Sequence, residues 1–120
     1  MILRVVSGVC AAVFGFSAAV QWNDPDPLPW IVGYGAVAVV SAAVAFGARP
    51  RWTSVAVLVP VLGAFLWWAP AFQHFSLDAL GSFGMSGAAS EEEVREAIGL
   101  GLAAVWMAVL VLRLSRPVGR

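Results

Sequence analysis

The chain has 120 residues, of which 61% are hydrophobic and 12% charged, with a formal net charge of zero. A soluble domain of this length needs far more polar surface, because a small globule has a high ratio of surface to core. The balanced charge and scarcity of basic residues also exclude nucleic acid as a partner.

Four apolar blocks, at about 2–21, 30–48, 53–71 and 97–112, each carry almost no charge. A helix rises about 1.5 Å per residue, so roughly 20 residues cross the ~30 Å hydrocarbon layer. The fold expected is therefore all-α and integral to the membrane, a single four-transmembrane-helix bundle over residues 1–120 with the lipid bilayer as its surroundings.

The first block, with Arg4 ahead of an apolar run and Ser17-Ala18-Ala19 near its end, has some features of a secretory leader. It is long for a leader core and three further spans follow, so a retained helix is expected. Ala11, Gly15 and Ala19 recur at intervals of four and predict a close approach between helices. Cys10, the lone cysteine, is read as packing.

Between the first two spans lies Gln21-Trp22-Asn23-Asp24-Pro25-Asp26-Pro27-Leu28-Pro29. Residues before proline are pushed toward extended backbone, which predicts a short, stiff loop. Asp26 is placed to cap the second helix, with Pro27 at its first position. Pro60 interrupts the third span and predicts a kink.

The connection at about 72–96 is longer. Phe72, Phe75, Ala79, Leu80 and Phe83 recur at helical spacing and predict a short interfacial helix between the third and fourth spans. Ser90 and Glu93 match a capping box, which starts the fourth helix near Glu91. Gly99, Gly101, Ala103 and Ala104 give that helix a second small-residue face, and Trp106, deep in it, reads as packing.

Charge sets the orientation. Arg4, Arg49, Arg51, Arg113, Arg116 and Arg120 fall at the ends of the chain or between the second and third spans, whereas all seven acids fall in or beside the other two connections. Arginine collects on the cytoplasmic side, so both termini are expected there. Trp22, Trp30, Trp67 and Trp68 would then form the outer aromatic belt, with Trp52 at the inner interface. The absence of lysine and the wealth of Ala, Val, Gly and Arg fit a bacterial inner membrane.

No phosphate-binding loop, cysteine pair, zinc-protease motif or nucleophile elbow is present. No ionisable residue sits near the middle of a span, where a proton- or ion-coupled carrier would need one. The candidate site is instead the outer mouth, where Gln21, Asn23, Asp24 and Asp26 meet the start of the fourth helix with Glu92, Glu93, Arg95 and Glu96. Gln21, Asn23, Asp24, Asp26 and Arg95 are candidates for holding a small polar ligand. Asp24, Asp26, Glu92, Glu93 and Glu96 are candidates for a divalent cation such as Ca²⁺ or Mg²⁺, which prefers carboxylate and amide oxygens. His74, four residues before Asp78, would move the preference toward a transition metal and is the weaker candidate.

The same polar residues have plainer uses. Asp26 and Glu93 fit helix caps, Glu91 and Arg95 fit an i,i+4 ion pair, and Arg95 with Asp24 would make a purely structural latch. Three functions remain open: a binding site for a cation or small polar ligand, an accessory subunit or homo-oligomer held by its small-residue faces, and a metal-dependent membrane hydrolase.

Two motifs carry a resemblance. Gln21-x-Asn23-Asp24-Pro25-Asp26 followed by Trp30 and Tyr34, then Glu91-Glu92-Glu93-x-Arg95-Glu96-x-x-Gly99-Leu100, with the ending Pro117-Val118-Gly119-Arg120, resembles the family catalogued as transmembrane protein 220. The resemblance implies a four-span membrane protein and no established activity or cofactor. It associates the two polar segments and leaves out His74 and Asp78.

Overall fold

The computed structural model describes residues 1–23, 26–69 and 89–117, with residues 89–94 as backbone only. The described chain is helical and holds four helices long and apolar enough to cross a membrane. Helix α1 spans Ile2–Val20 and continues into a 3₁₀ turn, Gln21–Asn23; α2 spans Pro27–Ala45, α3 Arg51–Trp68 and α4 Ala89–Ser115. The interfacial helix expected around 72–83, with His74 and Asp78, lies outside the described residues.

The boundaries differ from the hydropathy blocks for local reasons. Helix α2 begins at Pro27 because a proline costs nothing at the first position, whose N–H has no intrahelical partner anyway. It ends before the apolar run does. Gly47, at φ 97°, donates to Val44 O at 2.9 Å and Ala48 donates to Ala43 O at 2.9 Å, a Schellman closure that needs a residue tolerant of the left-handed region. Helix α4, with 27 residues, is about 40 Å long at ~1.5 Å per residue and outruns the hydrocarbon layer. Its acidic first turns therefore stand outside the apolar span.

Helices α1 and α2 form one antiparallel hairpin and α3 and α4 a second, and contacts within each hairpin far exceed those between them. A Cβ built on Gly8 would lie 3.8 Å from the Ala45 Cβ, and one on Gly15 3.9 Å from the Ala38 Cβ, so these two glycines let α1 close on α2. The predicted Ala11-Gly15-Ala19 stripe is thus partly corrected. Gly15 faces the partner, but Ala19 is exposed and the buried positions of α1 are Ser7, Phe14 and Ala18. A seven-residue repeat tracks a packed helix face better than a four-residue one.

The two hairpins meet mainly through side chains of α2 and α4. Val37, Val40 and Val44 from α2 pack with Ala103, Ala104, Met107, Leu110 and Leu114 from α4, and Val61 joins from α3. Within this core the Trp106 indole donates to Ser41 Oγ at 2.8 Å, and Ser41 donates to Val37 O at 2.7 Å. In lipid, where every polar hydrogen needs a partner, this relay ties the hairpins together at depth. Trp106 is therefore packed, as expected, but it also supplies an interhelical bond that the sequence reading did not include.

The start of α1 and the end of α4 lie at one end of the bundle, together with the α2–α3 connection. There the arginines act as helix caps. Arg4 donates to Ala45 O at 3.0 Å and so caps α2, while Arg49 donates to Arg116 O at 3.0 Å and Leu114 O at 3.3 Å and so caps α4. A cation at a helix C-terminus satisfies orphan carbonyls and suits the helix dipole.

Candidate functional site

The opposite end of the bundle gathers aromatic rings around one carboxylate. Trp30 and Tyr34 stand four residues apart on α2, so they share a helix face, and their rings stack with centroids 6.1 Å apart. Phe14 of α1 stacks on Tyr34, also at 6.1 Å. Trp68, the last residue of α3, meets Trp30 edge to face at 5.6 Å. Its indole then donates to Glu96 Oε2 of α4 at 2.9 Å. The chain Phe14–Tyr34–Trp30–Trp68–Glu96 thus runs through all four helices. Aromatic pairs contribute about 0.5–1.5 kcal/mol each beyond their buried area, and a hydrogen bond to a charged group about 1.5–3 kcal/mol.

Glycines on α4 make room for these rings. A Cβ at Gly99 would overlap the Tyr34 hydroxyl, and one at Gly101 would lie 3.0 Å from Phe65 Cε1. The small residues of α4 were expected to bring backbones together. Gly99 and Gly101 accept aromatic side chains from α2 and α3 instead, while Ala103 and Ala104 pack in the shared core.

Beneath the rings α2 and α3 touch sparingly, and a cavity of about 420 Å³ opens between them. Its walls include Trp30, Tyr34, Pro60, Val61, Trp68 and Leu100. The cavity spans Pro29 to Ala36 on α2 and Ala56 to Trp68 on α3, so it occupies the half of the bundle remote from the termini. Pro60 contributes twice. Its ring forms part of the wall, and its missing N–H leaves the Ala56 carbonyl, on a residue that also lines the cavity, without the usual helical donor. Gly33 lines the cavity too, and a Cβ there would meet nothing within 4 Å.

The expected site residues divide into several groups. Glu96 is half-buried and bonded to Trp68, and Arg95 beside it is half-buried. Gln21 is half-buried and Asn23 exposed in the 3₁₀ turn, which packs on α1 and α2. Asp24 and His74 lie outside the described residues, as do the side chains of Glu92 and Glu93. Among the described residues no three His, Cys, Asp or Glu side chains gather in a way that could hold a metal ion.

Asp26 is exposed and occupies the N-cap position of α2, but its side chain makes no capping hydrogen bond. The physical reason lies in the next residues. Capping needs the N–H of the second or third helical residue, and the third is Pro29, which has none. Pro29 therefore removes one of the two donors open to the aspartate and leaves that of Leu28.

Sequence reasoning identified Glu96 but treated Trp68 only as part of the aromatic belt. The pairing of Trp30 with Tyr34 was legible as an i,i+4 spacing. The meeting of Trp68 with Glu96 was not, since a helix end and a helix start separated by a long connection carry no mutual spacing signal.

No solved structure matches this chain. The sequence profile described as transmembrane family 220, helix, matches residues 13–112, a stretch that includes both motifs, the aromatic chain and every residue lining the cavity. The chain belongs to the transmembrane 220 family.

Proposed function

We propose that this multi-pass membrane protein is a binding protein, and that its ligand enters the cavity between α2 and α3 with a polar head at the Glu96 end. The observation that carries the reading is the ~420 Å³ cavity ending in Trp30, Tyr34 and Trp68. Ligand pockets typically measure about 300–1,000 Å³, with mostly apolar walls and a few convergent polar groups. This site differs from the acidic outer-mouth site expected from the sequence, whose candidate residues, among those described, do not line the cavity and of which only Glu96, through Trp68, adjoins it. In the same reading the arginine-rich end and both termini face the cytoplasm, in a bacterial inner membrane.

Gly33→Leu tests the reading. The new side chain enters open cavity space, so the fold is expected to be retained while the room for a ligand is lost. Wild-type protein in lipid nanodiscs is expected to melt several degrees higher with a single-chain amphiphile added, and the variant to show no such gain. Equal shifts in both proteins would overturn the cavity as the binding site.

A second reading is favoured by the Trp68–Glu96 bond, which by itself joins α3 to α4. In that reading the acidic end is a latch, and the protein is an accessory subunit or homo-oligomer whose exposed apolar faces meet a partner. Isolation in mild detergent as a bare monomer would count against it. The divalent-cation site, and the membrane hydrolase that would depend on one, rest on Asp24, Asp26, Glu92, Glu93 and Glu96, with His74 as a weaker contributor. Elemental analysis before and after chelation tests for that metal.

A further inference from the structure

The end of the bundle opposite the aromatic chain carries arginine and, among the described residues, no acid. Arg4, Arg49, Arg51, Arg113 and Arg116 lie there, while all seven acids of the chain fall in or beside the other two connections. Among the described residues none of the five guanidiniums meets a carboxylate. Two of them are held in place. Arg4 donates from Nε to Ala45 O, and its guanidinium carbon lies 3.8 Å from where a Cβ on Gly47 would stand. Arg49, two residues further along the same connection, uses one terminal nitrogen for the carbonyls of Leu114 and Arg116. Those carbonyls flank and belong to the last residues of α4, which brings Arg113 and Arg116 to the connection as well. Both of these side chains are exposed and make no hydrogen bond among the described residues. Arg51 lies over the Trp52 ring, 4.8 Å from its centre.

An arginine bias that sets topology asks only for positive charge. The geometry here supplies more. A guanidinium carries five N–H donors in a planar fork, so Arg4 and Arg49 keep donors beyond those their caps engage. Their forks are already immobilised, and binding does not pay that ordering entropy again. Planar forks also match phosphate oxygens better than a point charge does. The flanks of the cluster are apolar: Phe46 before the connection, Trp52 after it and Leu112 on α4 are all exposed. Indole rings collect at the level of lipid head groups, and arginine clusters beside a span attract anionic ones. Phosphate next to hydrocarbon is the chemistry of a phospholipid and not of a soluble phosphate.

We infer that the arginine end holds an anionic phospholipid, with its phosphate among Arg49, Arg113 and Arg116 and its chains beside Trp52. Arg4 and Arg51 complete the positive rim. The inference is independent of the cavity. Its test reconstitutes the protein in bilayers of equal phosphatidylglycerol and phosphatidylcholine with the same chains. The protein is then purified into neutral detergent, and the lipid retained per protein is measured by mass spectrometry.

Wild-type protein is expected to retain phosphatidylglycerol about tenfold over phosphatidylcholine. Washing at about 1 M salt is expected to narrow that preference, a measurement that needs no variant. Arg113→Gln with Arg116→Gln alters only exposed, unbonded side chains, and is expected to bring the two lipids to within about twofold. Arg113→Lys with Arg116→Lys keeps the charge but loses the forks, and is expected to leave a preference of about threefold. Equal retention of both lipids by wild-type protein would overturn the assignment. An unchanged preference in the glutamine variant would overturn the role of the α4 arginines. Full preference in the lysine variant would show that charge alone attracts the lipid, which overturns a built site. Release of the lipid by inorganic phosphate at matched ionic strength would make a soluble phosphate the occupant instead.

Discussion

Tyr34 and Gly99 show how closely single residues are matched here. The tyrosine is buried at 8% exposure, stacked between Phe14 and Trp30, with its hydroxyl against the Gly99 backbone. Gly99→Ala is expected to cost about 1–3 kcal/mol, the usual range for overpacking a filled interior. Tyr34→Phe removes the atom that the new methyl would meet, so the double variant is expected to recover much of the loss. A double-mutant cycle of denaturant unfolding in micelles measures this coupling, and additive losses would show that the two residues act independently. Ser7 illustrates the opposite case. It is fully buried and its hydroxyl has no partner among the described residues, whereas Ser17, Ser41 and Ser54 each donate to the carbonyl four residues back.

At the scale of elements, the helix ends carry most of the polar chemistry. Arg4 and Arg49 each reach across to cap a helix other than their own, so a connection between α2 and α3 also fastens the end of α4. Arg49→Ala is expected to cost about 0.5–1 kcal/mol and to fray the last turn of α4. Hydrogen exchange at residues 113–116 reads this directly, with faster exchange expected there and unchanged exchange near Met107. At the other end, Asp26 shows that residue type alone does not make a cap. Pro29, at the third helical position, removes one of the two backbone N–H groups that a cap can use.

For the whole molecule, the paired hairpins place charge and aromatic chemistry at opposite ends. Five arginines, Arg4, Arg49, Arg51, Arg113 and Arg116, cluster at the end bearing the termini, and the aromatic chain with Glu96 closes the other. If the arginine-rich end faces the cytoplasm, cysteines introduced at Asn23 and Arg116 in a Cys10→Ser background are expected to differ in labelling. A membrane-impermeant maleimide applied to intact cells is expected to modify the first and spare the second. Labelling of Arg116→Cys alone would invert the topology.

The number, order and approximate length of the four long apolar helices were determined by the sequence, because apolar run length against bilayer thickness is a local property. The resemblance to the family was likewise legible from two motifs at opposite ends of the chain, and the profile match confirms it. Glu96 was a legible candidate because a carboxylate beside a span is conspicuous. Its partner Trp68 was not, nor was the Trp106–Ser41 bond, since each joins helices that are distant in sequence. The cavity lay beyond sequence reasoning for the same reason. It is a gap left between α2 and α3, and only the tertiary packing of Tyr34 on Gly99 and of α2 on α4 decides where that gap falls.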